Sequence, residues 1–118
     1  MNQTNLAVQT EAADSAFQFV MQGDGIGFIE INVPGDKQNT LKQEFGEQFD
    51  AVIEQVRSQK SLVGLVVVST KPGSFLAGAD INLFDQVQTA QEVTGLSLAC
   101  QAAFQQLEDL PVPVVAAI

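Results

Sequence analysis

The chain has 118 residues, 46% of them hydrophobic and 16% charged, with five Lys and Arg against fourteen Asp and Glu for a formal charge of −9. That length allows a single domain with a core of its own, and the aliphatic content is too high for a disordered segment. Five scattered cations form no basic stripe, which excludes nucleic acid as a partner. The sequence contains no His, which removes imidazole metal sites and Ser-His-Asp or Cys-His catalysis. Cys100 is the single cysteine and cannot form an internal disulfide. The opening residues carry neither a basic nor an apolar signal region, and no run of about 18 apolar residues is present to span a bilayer. The composition reads as a soluble domain, expected in the cytoplasm and without a transmembrane segment.

Residues 1–15 are polar and aperiodic, and are expected to form a mobile tail ahead of a domain over 16–118. Phe17 and Phe19 alternate with polar neighbours, Gly23-Asp24-Gly25 supplies turn chemistry, and Ile26 to Val33 run with period two, which predicts a β-hairpin. Pro34-Gly35 breaks the second strand. A helix is predicted over residues 41–58, because Leu41, Phe45, Phe49, Val52, Ile53 and Val56 recur at spacings of three and four. Thr40 with Gln43 has capping-box spacing, and Asn39 is an equally good cap. The run from Leu62 to Val68 is β-branched and continuous, as in a strand buried on both faces. A loop over 69–79 follows, then a short helix capped by Asp80 and reaching about Gln86. A second amphipathic helix is predicted over 90–109, with Val93, Leu96, Cys100, Ala103, Phe104 and Leu107 on its core face. Pro111 and Pro113 lead into a final apolar strand, 114–118. Helices between strands favour an α/β fold with a largely parallel sheet and right-handed crossovers. The last strand has no following connection within the sequence, and a fragment of a larger domain is the expectation.

The stretch Lys71-Pro72-Gly73-Ser74-Phe75-Leu76-Ala77-Gly78-Ala79-Asp80-Ile81 follows a buried strand and precedes a helix start. Ligands bind at the carboxyl ends of such strands, small residues admit a ligand to the backbone, and a helix start offers free N–H groups to an oxyanion or a developing enolate. An ordinary strand-to-helix loop with an Asp cap is the simpler reading of the same residues. Gly23-x-Gly25-x-Gly27 lacks dinucleotide-loop spacing and lies before a strand, so it reads as a hairpin turn. Cys100 reads as a small buried hydrophobe, and the acidic residues of the first helix as a solvated face. Lys37 reads as a solvated turn lysine that could also meet a phosphate.

Two segments carry a resemblance. One is Ile31-Asn32-Val33-Pro34-Gly35-Asp36-Lys37-Gln38-Asn39-Thr40-Leu41; the other runs from Ser69-Thr70-Lys71-Pro72-Gly73 through Ala77-Gly78-Ala79-Asp80-Ile81-Asn82-Leu83, with Thr89-Ala90-Gln91-Glu92-Val93 beyond. On them the chain resembles the enoyl-CoA hydratase/isomerase (crotonase) family over residues 16–118. Within that family it looks most like the amino-terminal part of the alpha subunit of multifunctional fatty-acid oxidation complexes.

The resemblance implies a crotonase-like α/β fold of ββα-superhelix type, of which this is the amino-terminal portion. It implies hydration of a trans-2-enoyl-CoA to a 3-hydroxyacyl-CoA, with coenzyme A as part of the substrate and no separate cofactor. At matching positions it implies that the Ala79 backbone N–H donates to the thioester oxygen in an oxyanion hole. It implies that backbone groups of Ala77 and Ile81 hold the adenine, and that Lys37 approaches the coenzyme phosphates. It also implies a downstream NAD-dependent 3-hydroxyacyl-CoA dehydrogenase, a thiolase beta subunit as partner, and an oligomer. The family's second oxyanion glycine and its two catalytic glutamates match positions beyond Ile118, so the chain alone is expected to be inactive. Gln38 stands where the family is usually apolar. Asn82 stands where many single-function hydratases have lysine, which resembles the multifunctional subgroup. An isomerase of the same fold and a non-catalytic coenzyme A-binding or assembly module are the alternatives, with a flavodoxin-like nucleotide binder behind them.

Overall fold

Alternating apolar residues over 17–31 with a tight polar turn between them make a hairpin the lowest-energy local solution. In the computed structural model, which describes residues 15–42, 44–78, 85 and 87–118, that hairpin is present. Strands β1 (Phe17–Met21) and β2 (Ile26–Ile31) pair antiparallel, with Phe19 opposite Ile29 and Met21 opposite Gly27. The turn closes through Gly25 N–H to the Gln22 carbonyl at 3.2 Å, and the Asp24 carboxylate accepts from Ile26 N–H at 3.0 Å. Gly25 sits at φ 89°, and a Cβ there would meet the Ser61 carbonyl oxygen at 3.0 Å. Gly25→Ala is therefore expected to lower stability by about 1–2 kcal/mol, through left-handed strain and this contact together. Urea unfolding would show it as a lower midpoint at unchanged slope.

The remaining elements are α1 (Phe45–Arg57), β3 (Gly64–Ser69), α2 (Ala90–Glu108) and β4 (Val114–Ala117). The four strands lie in the order β1-β2-β3-β4, with β2–β3 and β3–β4 parallel. Phe45, Phe49, Val52, Ile53 and Val56 are all buried, so the predicted apolar stripe of α1 is the face that packs. The core joins that stripe to Phe17, Ile29, Ile31, Leu65 and Val67 of the sheet. Phe17 is its hub, edge-on to Phe45 at 5.4 Å and to Phe49 at 5.5 Å between ring centroids.

Four expectations are corrected. The first helix begins at Phe45 and not at residue 41; Glu44 is its cap residue and makes no side-chain cap hydrogen bond. Asn39 caps nothing, because its amide is engaged elsewhere in the fold, and Leu41 lies outside the helix. β3 is not buried on both faces: Leu65 and Val67 are buried, whereas Val66 and Val68 are only half-buried. α1 covers the face carrying Leu65 and Val67. Finally, α2 buries no residue, Val93 and Phe104 being 47% and 45% exposed and Cys100 half-buried. Its start is secure all the same, with Thr89 Oγ1 accepting from Glu92 N–H at 3.1 Å and Glu92 Oε2 from Gln88 N–H at 2.9 Å.

The tail expected over 1–15 lies outside the described residues except for Ser15. Next to it, Ala16 is buried and its N–H donates to Gln48 Oε1 of α1 at 2.9 Å. The short helix expected from Asp80 lies outside them too, apart from Asp85. Among the described residues no helix is long and apolar enough to cross a membrane.

Candidate functional site

Parallel pairing of β2 with β3 places their carboxyl ends together, since Ile31 lies opposite Ser69. The two segments that leave those ends, 32–42 and 70–78, therefore run beside each other. Thr70 N–H donates to the Ile31 carbonyl at 3.1 Å, Ala77 N–H to the Asn39 carbonyl at 2.6 Å, and Leu41 N–H to the Gly78 carbonyl at 2.8 Å. Between them the buried Asn39 side chain reaches both. Its Oδ1 accepts from Val33 N–H at 2.9 Å, and its Nδ2 donates to Ser69 Oγ and to the Phe75 carbonyl, each at 2.8 Å.

Charge gathers at the same end. Lys42 Nζ lies 2.8 Å from Asp36 Oδ2, and Lys71 Nζ donates to the Asp36 carbonyl. Lys37, next in sequence to Asp36, is exposed. Three of the five basic residues of an acidic chain thus stand at the carboxyl ends of two parallel strands.

Behind the loop lies an apolar cavity of about 680 Å³ between the sheet, α1 and α2. Ile31 and Val67 form part of its floor, Phe75 and Leu76 its loop side, and Cys100 and Ala103 its α2 wall. Leu96, Cys100, Ala103, Phe104 and Leu107 of the α2 stripe line this volume, which is open to solvent on one side, while Ala103 and Leu107 also touch the core and Phe104 stands edge-on to Phe49. Native cores leave few voids larger than a water molecule, whereas ligand cavities run to roughly 300–1,000 Å³. Among the described residues Glu108 is the single carboxylate on the cavity wall, and it is exposed. Among the described residues no three acidic, His or Cys side chains gather to hold a metal ion.

Of the residues the sequence pointed to, Lys37 and Ala77 are both found at this end of the sheet. Ala77 is exposed and its N–H is committed to Asn39, so the backbone group it can offer a ligand is its carbonyl. Ala79 and Ile81 lie outside the described residues. The Gly23-Gly25-Gly27 run sits in the β1–β2 turn and the strand after it, away from any strand-to-helix crossover, and so lacks the setting of a dinucleotide loop. Sequence reasoning missed Asn39, Ser69 and the Asp36–Lys42 pair. An isolated Asn ahead of a helical pattern reads first as a cap, and no local spacing reveals partners 30 and 36 residues away.

The family model described as enoyl-CoA hydratase/isomerase matches residues 21–118. An enoyl-CoA hydratase of Geobacillus kaustophilus superposes with TM-score 0.74 at 26% identity, over 86% of this chain and 37% of that one. An enoyl-CoA hydratase/carnitine racemase of Magnetospirillum magneticum gives 0.77 at 26%, over 88% and 39%. An enoyl-CoA hydratase of Bacillus anthracis, 18% identical over 86% of this chain and 39% of that one, shares the fold at 0.73. The chain thus spans less than two fifths of the length of these solved relatives, and its mixed sheet is crotonase-like α/β architecture.

Proposed function

Since the chain belongs to the enoyl-CoA hydratase/isomerase family, we propose that it forms the coenzyme A-binding part of an enoyl-CoA hydratase domain. In that reaction water adds across the C2=C3 bond of a trans-2-enoyl thioester, hydroxyl to C3 and proton to C2. The observation that carries the reading is the pinned 70–78 loop at the carboxyl ends of β2 and β3, with Lys37, Lys42 and Lys71 around it. Coenzyme A is an anion with an adenine at one end and an acyl thioester at the other. Lysines suit its phosphates, the Ala77 carbonyl suits the amino group of adenine, and the apolar cavity behind Phe75 and Leu76 suits an acyl chain. On the resemblance, the Ala79 N–H would donate to the thioester oxygen, where an enolate would develop, and Ile81 would stand beside the adenine.

The finer reading is a multifunctional β-oxidation alpha subunit, cytoplasmic and oligomeric, with a thiolase beta subunit as partner. It rests on the resemblance at Asn82. The NAD of its dehydrogenase finds no fitting residues among the described ones, because the glycines over 23–27 make a hairpin turn and strand. That cofactor would be held by other segments.

Isothermal calorimetry tests the coenzyme A reading. The chain should bind coenzyme A, and bind it more weakly as salt rises from roughly 0.05 to 0.5 M. Lys37→Ala, an exposed lysine meeting a phosphate, should weaken binding by about threefold. Binding that ignores both salt and Lys37→Ala would remove the phosphates from this end of the sheet.

A further inference from the structure

Asn39 is the only fully buried polar side chain among the described residues, 0% exposed, and the chemistry of hydration gives it nothing to do. We propose that Asn39 is a positioning residue for the nucleotide end of coenzyme A: it fixes Phe75 and Ala77, and thereby the carbonyl that Ala77 presents to the adenine amino group. The proposal rests on Ala77 meeting the adenine, as assigned above.

The geometry is specific to a carboxamide. Asparagine has two N–H donors and a carbonyl acceptor on one planar group. Here the donors serve Ser69 Oγ and the Phe75 carbonyl at 2.8 Å, with the Ile31 carbonyl at 3.4 Å, and the acceptor serves Val33 N–H at 2.9 Å. These partners belong to three separate pieces of chain: the end of β2, the end of β3 and the loop beyond it. The main-chain carbonyl of the same residue takes Ala77 N–H at 2.6 Å. A leucine of similar size would fill the volume and leave the buried Val33 N–H and the part-buried Phe75 carbonyl without these partners.

Main-chain bonds locate the two ends of the loop, Thr70 N–H on the Ile31 carbonyl and Leu41 N–H on the Gly78 carbonyl; the Asn39 amide is the side chain that holds the middle of this loop, at Phe75. Its internal turn is closed by a single 3.5 Å contact from Ser74 N–H to the Lys71 carbonyl. Gly73 and Gly78 adopt φ of 69° and 91° with open space where a Cβ would be. Such a segment has backbone freedom to spend, and the Asn39 bonds on Phe75 and Ala77 remove it immediately before the exposed Ala77–Gly78 peptide. Preorganisation of that kind raises affinity by cutting the ordering cost of binding.

A general packing role would weaken every ligand alike; a positioning role acts on one hydrogen bond. The test compares binding of coenzyme A with binding of its hypoxanthine analogue, in which a 6-oxo acceptor replaces the 6-amino donor, to the full chain by calorimetry. Wild type is expected to favour coenzyme A by about tenfold, the size of one buried hydrogen bond. In Asn39→Ala the two affinities should fall within about twofold of each other, both ligands still held through the lysines. A folded Asn39→Ala protein that keeps the full preference overturns the positioning role alone. A wild-type chain with no preference, or with no affinity for coenzyme A, overturns the adenine assignment and the proposal with it. Should Asn39→Ala not fold, Ser69→Ala removes one of its partners and leaves the others; a preference reduced to about threefold supports the proposal, and an undiminished one overturns it.

Discussion

Phe17→Ala is expected to remove about 3–5 kcal/mol from the free energy of unfolding, the usual range for a phenylalanine excised from a core. The side chain is 7% exposed and stands edge-on to both Phe45 and Phe49, so its loss abolishes two aromatic contacts and opens a void where β1 meets α1. Neighbouring strands cannot collapse into that void, because the hairpin register fixes Phe17 opposite Ile31. Domains of this size have about 5–15 kcal/mol in total, so the variant should lose a large fraction of its stability and unfold at a much lower urea midpoint. Val20→Ala on the same strand, where the side chain is 41% exposed, serves as the comparison and should change stability by no more than about 0.5 kcal/mol. Equal midpoints for the two variants in urea would mean that β1 is not docked on α1.

The second large effect is catalytic silence. The purified 118-residue chain, mixed with crotonyl-CoA, is expected to leave the enoyl absorbance unchanged while binding the thioester. Each general acid or base contributes about 10²–10⁴ to a rate, and hydration needs both functions at one double bond. Among the described residues, the carboxylates near the site are engaged or stand singly. Asp36 is paired with Lys42, and Asp109 accepts from Gln105 Nε2 at 3.0 Å. Among the described residues Glu108 is the one carboxylate that lines the cavity. A single backbone donor can stabilise an enolate but cannot deliver water or a proton. Hydration above the buffer rate would defeat this expectation, and its disappearance in Glu108→Gln would make Glu108 the acid–base group.

Much of the architecture was legible because it follows from local periodicity. Phe45, Phe49, Val52, Ile53 and Val56 repeat at helical spacing, and that face alone can be buried, whatever it packs against. Asp24-Gly25 fixes the hairpin because only glycine adopts the turn's left-handed backbone without strain. The uninterrupted Val66-Val67-Val68 run fits an interior strand with parallel neighbours on both sides, which is where β3 lies. Similarity at Asn39-Thr40-Leu41 and Ala77-Gly78 led to the right family, and to the end of the sheet where Lys37 and Ala77 are found.

What the residues determined by themselves is the order and kind of the elements, since helical and strand periods need no partner to be recognised. Where α1 begins, what Asn39 does and what the stripe of α2 faces were decided by tertiary structure. Asn39 had a cap within reach and took instead four partners, two of them 30 and 36 residues away, because a buried amide is stable only when all its hydrogen-bonding groups are satisfied together. α2 carries a helical apolar stripe, yet that pattern cannot distinguish a face packed on a sheet from one lining a partly open cavity, where Phe104 stays 45% exposed.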